Sequence, residues 1–266
     1  MFPKLISIGD FFLPSYGVLV TLGFLLGIWI TGKLARQRGL DPQLVTDLAI
    51  YVALAGLGGA KLLMILYELP YYLKHPGDIF SMATLQAGGV FYGGLIAALL
   101  VAIWYVRSRK LQFLPVADCF APGLALGHAI GRIGCFAAGC CWGLACERPW
   151  AVTFTDAEAH RLVGVPLFQS LHPTQLYEAL GEFLIFLFLY RHAASKPPTG
   201  RLIGLYLMLY PAVRFGVEFL RAHEQANPFG WILSMAQWTA LVLLVVGFCI
   251  VTQTVTKTTR NSTPVP

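Results

Sequence analysis

Leu202-Ile203-Gly204-Leu205-Tyr206-Leu207-Met208-Leu209-Tyr210-Pro211-Ala212-Val213-Arg214-Phe215-Gly216-Val217-Glu218-Phe219-Leu220-Arg221 is the stretch on which the reading of this chain turns. It is apolar enough, and about long enough, to cross a hydrocarbon core as a helix. Three charges nevertheless lie in its second half, at spacings of four and three. An ionisable residue at the bilayer centre costs roughly 2.5–3.5 kcal/mol on insertion scales, so charges held there are usually paired and tied to function. Arg221 alone reads as an anchor whose long side chain reaches the headgroups. Arg214 lies about two turns deeper, and Glu218 falls one turn from it on the same face. That pair reads as part of a site.

The remainder of the chain has the same character. Of 266 residues, 57% are hydrophobic and 12% charged, with a mean hydropathy of +0.67, a composition that excludes an ordinary soluble domain. Apolar runs at 16–32, 45–66, 89–106, 113–131, 174–190, 202–220 and 232–252 predict an all-α polytopic membrane protein of about seven transmembrane helices, one integral domain over 1–266. Lys33, Arg36 and Arg38, then Arg107, Arg109 and Lys110, then Arg191, Lys196 and Arg201, and finally Lys257 and Arg260 all fall on one side of a seven-span chain. Short cytoplasmic loops collect such residues, so the N-terminus is expected outside and the C-terminus in the cytoplasm. The same clusters account for the net charge of +6 without nucleic acid as a partner. The first span has neither a basic lead-in nor a small-residue cleavage pattern and reads as retained.

The outward loops are the larger ones, about 67–88 and 132–172. The second contains Pro149, Pro166 and an alternating run Ala151-Val152-Thr153-Phe154-Thr155 that reads as a short strand, so a small extracytoplasmic head is expected there. The polar, Thr-rich segment from Thr252, with 253–266 as cytoplasmic tail, is expected to fray.

Gly123, Gly127 and Gly131 recur every fourth residue and predict a helix face that a neighbour approaches closely, as do Gly23 and Gly27. In Gly88-Gly89-Val90-Phe91-Tyr92-Gly93-Gly94, the glycines either shape a break lining a lipid-accessible groove or simply punctuate a loop. The run Gly131-Arg132-Ile133-Gly134-Cys135-Phe136-Ala137-Ala138-Gly139-Cys140-Cys141-Trp142-Gly143 places a guanidinium among glycines. Arginine binds phosphate through paired hydrogen bonds, so Arg132 is a candidate phosphate ligand, the alternative being an interfacial anchor.

Cys135, Cys140, Cys141 and Cys146 crowd one loop, yet their spacings match no zinc ribbon or redox pair. A disulfide or packed thiols rank above a metal site, and a metal site above a nucleophile. Cys119 and Cys249 read as small core residues. His172-Pro173-Thr174-Gln175-Leu176-Tyr177-Glu178 opens the fifth span; proline suits a first helical position, and the polar side chains around it supply donors and acceptors at headgroup depth.

On these strings the chain resembles the prolipoprotein diacylglyceryl transferases. The match runs in order through Tyr16-Gly17, Phe91-Tyr92-Gly93-Gly94, Gly131-Arg132-Ile133-Gly134, Trp142-Gly143, Pro149-Trp150-Ala151-Val152, the His172–Glu178 string and Tyr210 to Arg221. The resemblance implies transfer of a diacylglyceryl group from phosphatidylglycerol to the lipobox cysteine of a preprolipoprotein signal peptide, with release of glycerol 1-phosphate. It further implies a bacterial inner-membrane setting among membrane lipids, with no cofactor and no metal. It assigns Arg132, Arg214, Glu218, Tyr92 and His172 to catalysis. Tyr16, Gly93, Gly94, Cys135, Cys140, Gly143, Gln175, Tyr177, Glu178, Tyr210 and Arg221 would bind substrate.

There are departures. Where family members usually carry His before the paired glycines this chain has Tyr92, and where they carry Asn and Glu in the Gly-Arg signature it has Cys135 and Cys140. With an ordinary pKa near 10, tyrosine is a poor base at neutral pH, which leaves His172, Glu218 or the cationic field to activate the acceptor thiol. A thiol-dependent lipid transferase or membrane redox protein, working through the cysteines, is the alternative. A transporter is a further one, against which stands the lack of a visible inverted repeat.

Overall fold

A helix satisfies every backbone N–H and C=O within its own segment, and the long apolar runs fold accordingly. The computed structural model describes residues 3–8, 11–81, 84, 88–222 and 232–262. They are mostly helical, as the composition requires. The expected loop 67–88 and tail 253–266 each contain positions outside the described residues. The chain divides into two units, Met1–Leu34 with Ala117–Pro266, and Ala35–Val116.

In the second unit, α2 (Pro42–Tyr67) starts at an N-cap where the Asp41 side chain accepts from the Gln43 N–H and Pro42 opens the first turn, a combination that satisfies an orphan donor where proline removes another. The short α3 (Leu69–Lys74) and a 3-10 turn (Pro76–Phe80) follow it, and α4 (Phe91–Ser108) packs back along α2. The structure resolves the glycine run. A Cβ on Gly93 would stand 2.5 Å from the Gly59 carbonyl oxygen, and one on Gly94 2.8 Å from that of Gly56, so these two bring the helices into backbone contact. Gly89 adopts φ +74 and serves as the loop punctuation before α4. Tyr92, in the first turn of α4, is 41% exposed and stacks edge-on with Phe91.

The first unit opens with a hairpin that the sequence reading missed, β1 (Lys4–Ile8) against β2 (Phe11–Pro14), leading into α1 (Ser15–Gln37). The next long helix, α5 (Phe113–Ala138), crosses α1 at Gly23/Gly127 and Gly27/Gly123. A Cβ on Gly23 would lie 2.8 Å from the Gly127 carbonyl, and one on Gly27 2.8 Å from that of Gly123. Gly131, third in the row, meets only an ordinary contact with Val20. The close approach expected of the row therefore comes from its first two members.

Beyond α5 comes a small mixed segment, in which β3 (Val152–Thr153) pairs with β4 (Ser170–Leu171) and α6 (Ala157–Val163) packs with them. Phe154, Ala159, Val165 and Leu171 form its core, and the alternating run from Ala151 supplies the expected strand. Three helices complete the unit, α7 (Thr174–Ala194), α8 (Arg201–Glu218) and α9 (Met235–Ser262). Ser234 and Gln237 cap α9 reciprocally, the serine hydroxyl accepting from the Gln237 N–H and the glutamine oxygen from the Ser234 N–H, a capping box.

Asp118, buried on α5, accepts from the Gly200 N–H at 2.8 Å and the Ile203 N–H at 2.9 Å, so it caps the start of α8 from another helix. The first N–H groups of a helix lack internal partners, and a carboxylate there also meets the positive end of the dipole. Hydrogen bonds to a charged group contribute roughly 1.5–3 kcal/mol, and Asp118→Ala is expected to lose about that much stability. Thermal unfolding in detergent reads the loss. An unchanged midpoint would remove Asp118 from the account of α8.

Some boundaries differ from expectation. Arg132 and Cys135 were placed in a head segment starting at 132, but α5 runs to Ala138 and stops only at Gly139, whose φ of +83 is the left-handed conformation that ends helices. The tail expected to fray continues as helix to Ser262. Its first threonine, Thr252, keeps its hydroxyl satisfied on the Phe248 carbonyl at 3.0 Å. Cys119 is buried as expected, whereas Cys249 is exposed.

Among the described residues, five helical segments are long and apolar enough to cross a membrane: Ser15–Gln37, Pro42–Tyr67, Phe91–Ser108, Phe113–Ala138 and Met235–Thr254. At 21 and 18 residues, α7 and α8 are comparable in length, but Glu178, Glu182, Arg214 and Glu218 interrupt their hydropathy. The three glutamates are 2%, 0% and 4% exposed in chain order, so the charges face protein.

Candidate active site

The pairing of α5, α7 and α8 is built around Glu178. Its carboxylate meets Arg132 Nε at 2.5 Å and Arg214 Nη1 at 2.8 Å, which joins the two arginines from different helices through one buried acid. Arg214 Nη2 continues to Glu218 at 2.7 Å. Glu218 also accepts from the Ser234 hydroxyl at 2.6 Å and approaches Arg221 at 4.0 Å. Three guanidinium groups thus alternate with two carboxylates. The arginine side chains keep 12–18% of their exposure and the two acids only 3–4%. An incoming anion therefore meets the cations, which the acids fix in place.

The sequence reading gave Glu218 the task of holding an arginine, and it does hold Arg214. Glu178, expected among the substrate-binding residues, is the residue common to both arginines. Tyr210 lies within electrostatic reach of Arg132, Glu178 and Arg214.

A second pair lies one turn along from the first. His128 precedes Arg132 by four residues on α5, and Glu182 follows Glu178 by four on α7. His128 Nδ1 is 3.4 Å from Glu182 Oε1, with Glu182 fully buried and the histidine side chain 27% exposed. The His128 ring packs edge-on to Tyr210, at 4.9 Å between centroids. Neither His128 nor Glu182 was singled out in the sequence. The signal that could have found them is their spacing of four from two residues that were.

The turn after α5 is stitched to the start of α7. Gln175 Nε2 donates to the Cys140 carbonyl at 2.7 Å and the Thr174 hydroxyl to the Cys141 carbonyl at 2.8 Å. Cys135, Cys140, Cys141 and Cys146 are all thiols, so the disulfide weighed for this loop is not formed. The Cys141 thiol is pushed down, first by hydrogen bonds from Cys135 and Cys140 and then by the charges of Arg221 and Arg132. Cys140 is pushed up by its hydrogen bonds with the same two neighbours. Tyr16 lies within electrostatic reach of all three thiols, and its ring would meet a Cβ on Gly134 at 3.4 Å.

Residues 142–146 are clamped between the entry to α7 and the exit from α8. The Gly143 N–H donates to the His172 carbonyl, the His172 N–H to that of Leu144, and the Leu144 N–H to that of Leu220, at 3.0, 2.9 and 2.8 Å. Gly143 bridges to Arg221. A Cβ on Gly143 would stand 2.6 Å from both His172 Cβ and the Leu220 oxygen, so only glycine fits the close approach.

The His172 side chain pairs with Tyr177. Its Nδ1 lies 3.1 Å from the Tyr177 hydroxyl, which also accepts from Trp150 Nε1 at 2.8 Å. Tyr92, Gly93 and Gly94 belong to the second unit and are described with it.

A profile of the prolipoprotein diacylglyceryl transferases matches residues 3–253. The chain belongs to the prolipoprotein diacylglyceryl transferase family. Relatives named phosphatidylglycerol–prolipoprotein diacylglyceryl transferase include one from Nitratidesulfovibrio vulgaris, 37% identical over 253 residues, 92% of this chain and 91% of the relative. One from Finegoldia magna is 33% identical over 234 residues, 87% of each chain, and one from Clostridium tetani 30% identical over 247 residues, 93% of this chain and 95% of the relative. The likeness to this transferase family thus covers both units, including every charged residue of the Glu178 network.

Proposed function

We propose that this chain transfers the diacylglyceryl group of phosphatidylglycerol to the lipobox cysteine thiol of preprolipoproteins, releasing glycerol 1-phosphate. The observation that carries this reading is the joining of Arg132 and Arg214 by the buried Glu178; the names of the relatives support it. In the transfer the thiol sulfur attacks the glyceryl carbon, the carbon–oxygen bond breaks, and its electron pair leaves on the phosphate. Donors fixed beforehand where that charge grows stabilise the transition state without reorganising. The arginines fit this role, with Glu178 and Glu218 keeping them in place.

The acceptor thiol must lose its proton, since the thiolate is the nucleophile. Glu218 is committed to Arg214 and Ser234, and His172 is tied to Tyr177. We assign the proton to His128, whose Nδ1 the buried Glu182 orients, in the manner of a base held by a carboxylate. General-base catalysis contributes about 10²–10⁴-fold, so His128→Gln is expected to lower kcat by about that factor. Full turnover in steady-state kinetics would remove His128 from the reaction.

The setting proposed is the bacterial inner membrane, with α7 and α8 joining the five apolar segments as spans, the N-terminus outside and the head extracytoplasmic. Reporter fusions after Lys110 and after Lys196 are both expected to report cytoplasm, and an external location for either contradicts this arrangement.

Mass spectrometry of a lipobox peptide incubated with the protein and phosphatidylglycerol tests the function. The expected product carries one diacylglyceryl group on its cysteine, and a serine-substituted peptide carries none. An unmodified peptide together with lipid bound covalently to Cys135, Cys140 or Cys141 would favour the thiol-dependent reading instead.

A further inference from the structure

The end of α5 brings sulfur atoms together by backbone geometry. The Gly139 N–H bonds the Phe136 carbonyl and the Cys140 N–H bonds the Cys135 carbonyl, at 3.2 and 3.1 Å. With Gly139 left-handed, this is the Schellman closure, which sets the side chains of its first and last residues against each other. Here those residues are Cys135 and Cys140. In most helix ends the contact is hydrophobic and needs only two partners. This chain adds a third, because Cys141 takes φ +62, a left-handed conformation that costs a non-glycine residue roughly 1–3 kcal/mol. Thr174 and Gln175 hold the strained turn through its carbonyls. The result is three sulfur atoms all within 4.8 Å of one another.

We propose that Cys135, Cys140 and Cys141 form a binding site for a thiophilic divalent cation of the zinc and cadmium class. Thiolates bound to zinc at about 2.3 Å stand roughly 3.8–4.0 Å apart, so the cluster needs to contract by about an ångström or less. Soft sulfur ligands select such ions over magnesium or calcium. Cys146 is not a member of this group, and its sulfur accepts from the Arg148 N–H at 3.4 Å.

Charge supports the same ion. Arg132, Arg214 and Arg221 against Glu178 and Glu218 leave one net positive charge in the ion-paired network. Arg132 and Arg221 both lie within electrostatic reach of Cys141. A divalent ion held by three thiolates carries one net negative charge and balances that excess. Each thiol gives its proton to solvent and a sulfur lone pair to the metal, with no change of oxidation state, and a fourth position is left for water.

Cadmium titration of the reduced full-length protein in detergent, without lipid substrate, reads the site by sulfur-to-metal charge-transfer absorption and is independent of turnover. One equivalent per chain is expected, with zinc competing. Cys141→Ser is expected to weaken binding by at least roughly 100-fold, beyond the 10–100-fold effect of an outer-shell partner, while Cys146→Ser binds as the unmodified protein does. X-ray absorption at the cadmium edge needs no variant and is expected to count three sulfur neighbours. Absence of the charge-transfer band, undiminished affinity in folded Cys141→Ser, equal loss in Cys146→Ser, or a shell with at most one sulfur would each overturn the site.

Discussion

Arg132→Ala and Arg214→Ala are each expected to lower kcat for transfer to a lipobox peptide by at least about 10²–10³-fold, the effect of removing one preorganised donor from a developing oxyanion. The loss falls on kcat because the contact strengthens as the phosphate takes up the bond electrons, and interactions made mainly in the transition state act on rate. Lysine keeps the charge but loses the planar fork, so Arg132→Lys and Arg214→Lys recover little. Arg132 uses Nε, and Arg214 both its terminal nitrogens, toward Glu178 and Glu218, contacts that a single ammonium cannot reproduce. Steady-state kinetics of all four variants in detergent-solubilised form check this. Near-normal kcat in both alanine variants would take the pair out of the site.

Glu178→Ala is expected to be the most damaging single change to the fold of this site. It leaves two partly buried guanidinium groups facing each other with their shared acid gone, and breaking a buried pair by removing one partner costs about 3–5 kcal/mol. Thermal unfolding should show that loss, together with loss of transfer. Glu178→Gln keeps the shape and an acceptor but not the charge, so it should retain more stability than alanine while remaining defective in turnover. An alanine variant as stable as the unmodified protein would mean that Glu178 does not organise the arginines.

Much of this site was legible as spacing along single helices. Arg214 and Glu218 sit one turn apart on α8, and four-residue spacing shows such pairs directly. Glu178 reaches Arg214 from another helix, 36 residues away, and no periodicity within either helix encodes that meeting. The same reason hid the pair of His128 and Glu182. The glycine rows at Gly23/Gly27 and Gly123/Gly127 announced a close helix contact, whereas the run Gly88–Gly94 left a groove or a loop open, and only the structure shows Gly93 and Gly94 packing on α2 while Gly89 turns the chain. Hydropathy marked where the helices lie but not where they end. The apolar run of α5 fades near Gly131, while its helix continues to Ala138 and stops only where Gly139 turns left-handed. The cysteine spacings matched no known ligand pattern, since the convergence of three sulfurs comes from two left-handed turn positions flanking Cys140, Gly139 and Cys141, rather than from sequence intervals.

The arginine pair is assigned to a transfer in which the phosphate leaves and the peptide thiol takes its place. The measurement that meets it most directly uses phosphatidylglycerol labelled in its glycerol phosphate headgroup, counting label released against thioether formed on a lipobox peptide by the same sample. One glycerol phosphate is expected to be released per peptide modified, with no release without peptide and loss of both signals together in Arg132→Ala and Arg214→Ala. Headgroup release that proceeds without peptide modification would show a lipid hydrolase, and thioether formation undiminished in both variants would show that the arginines are not its catalysts.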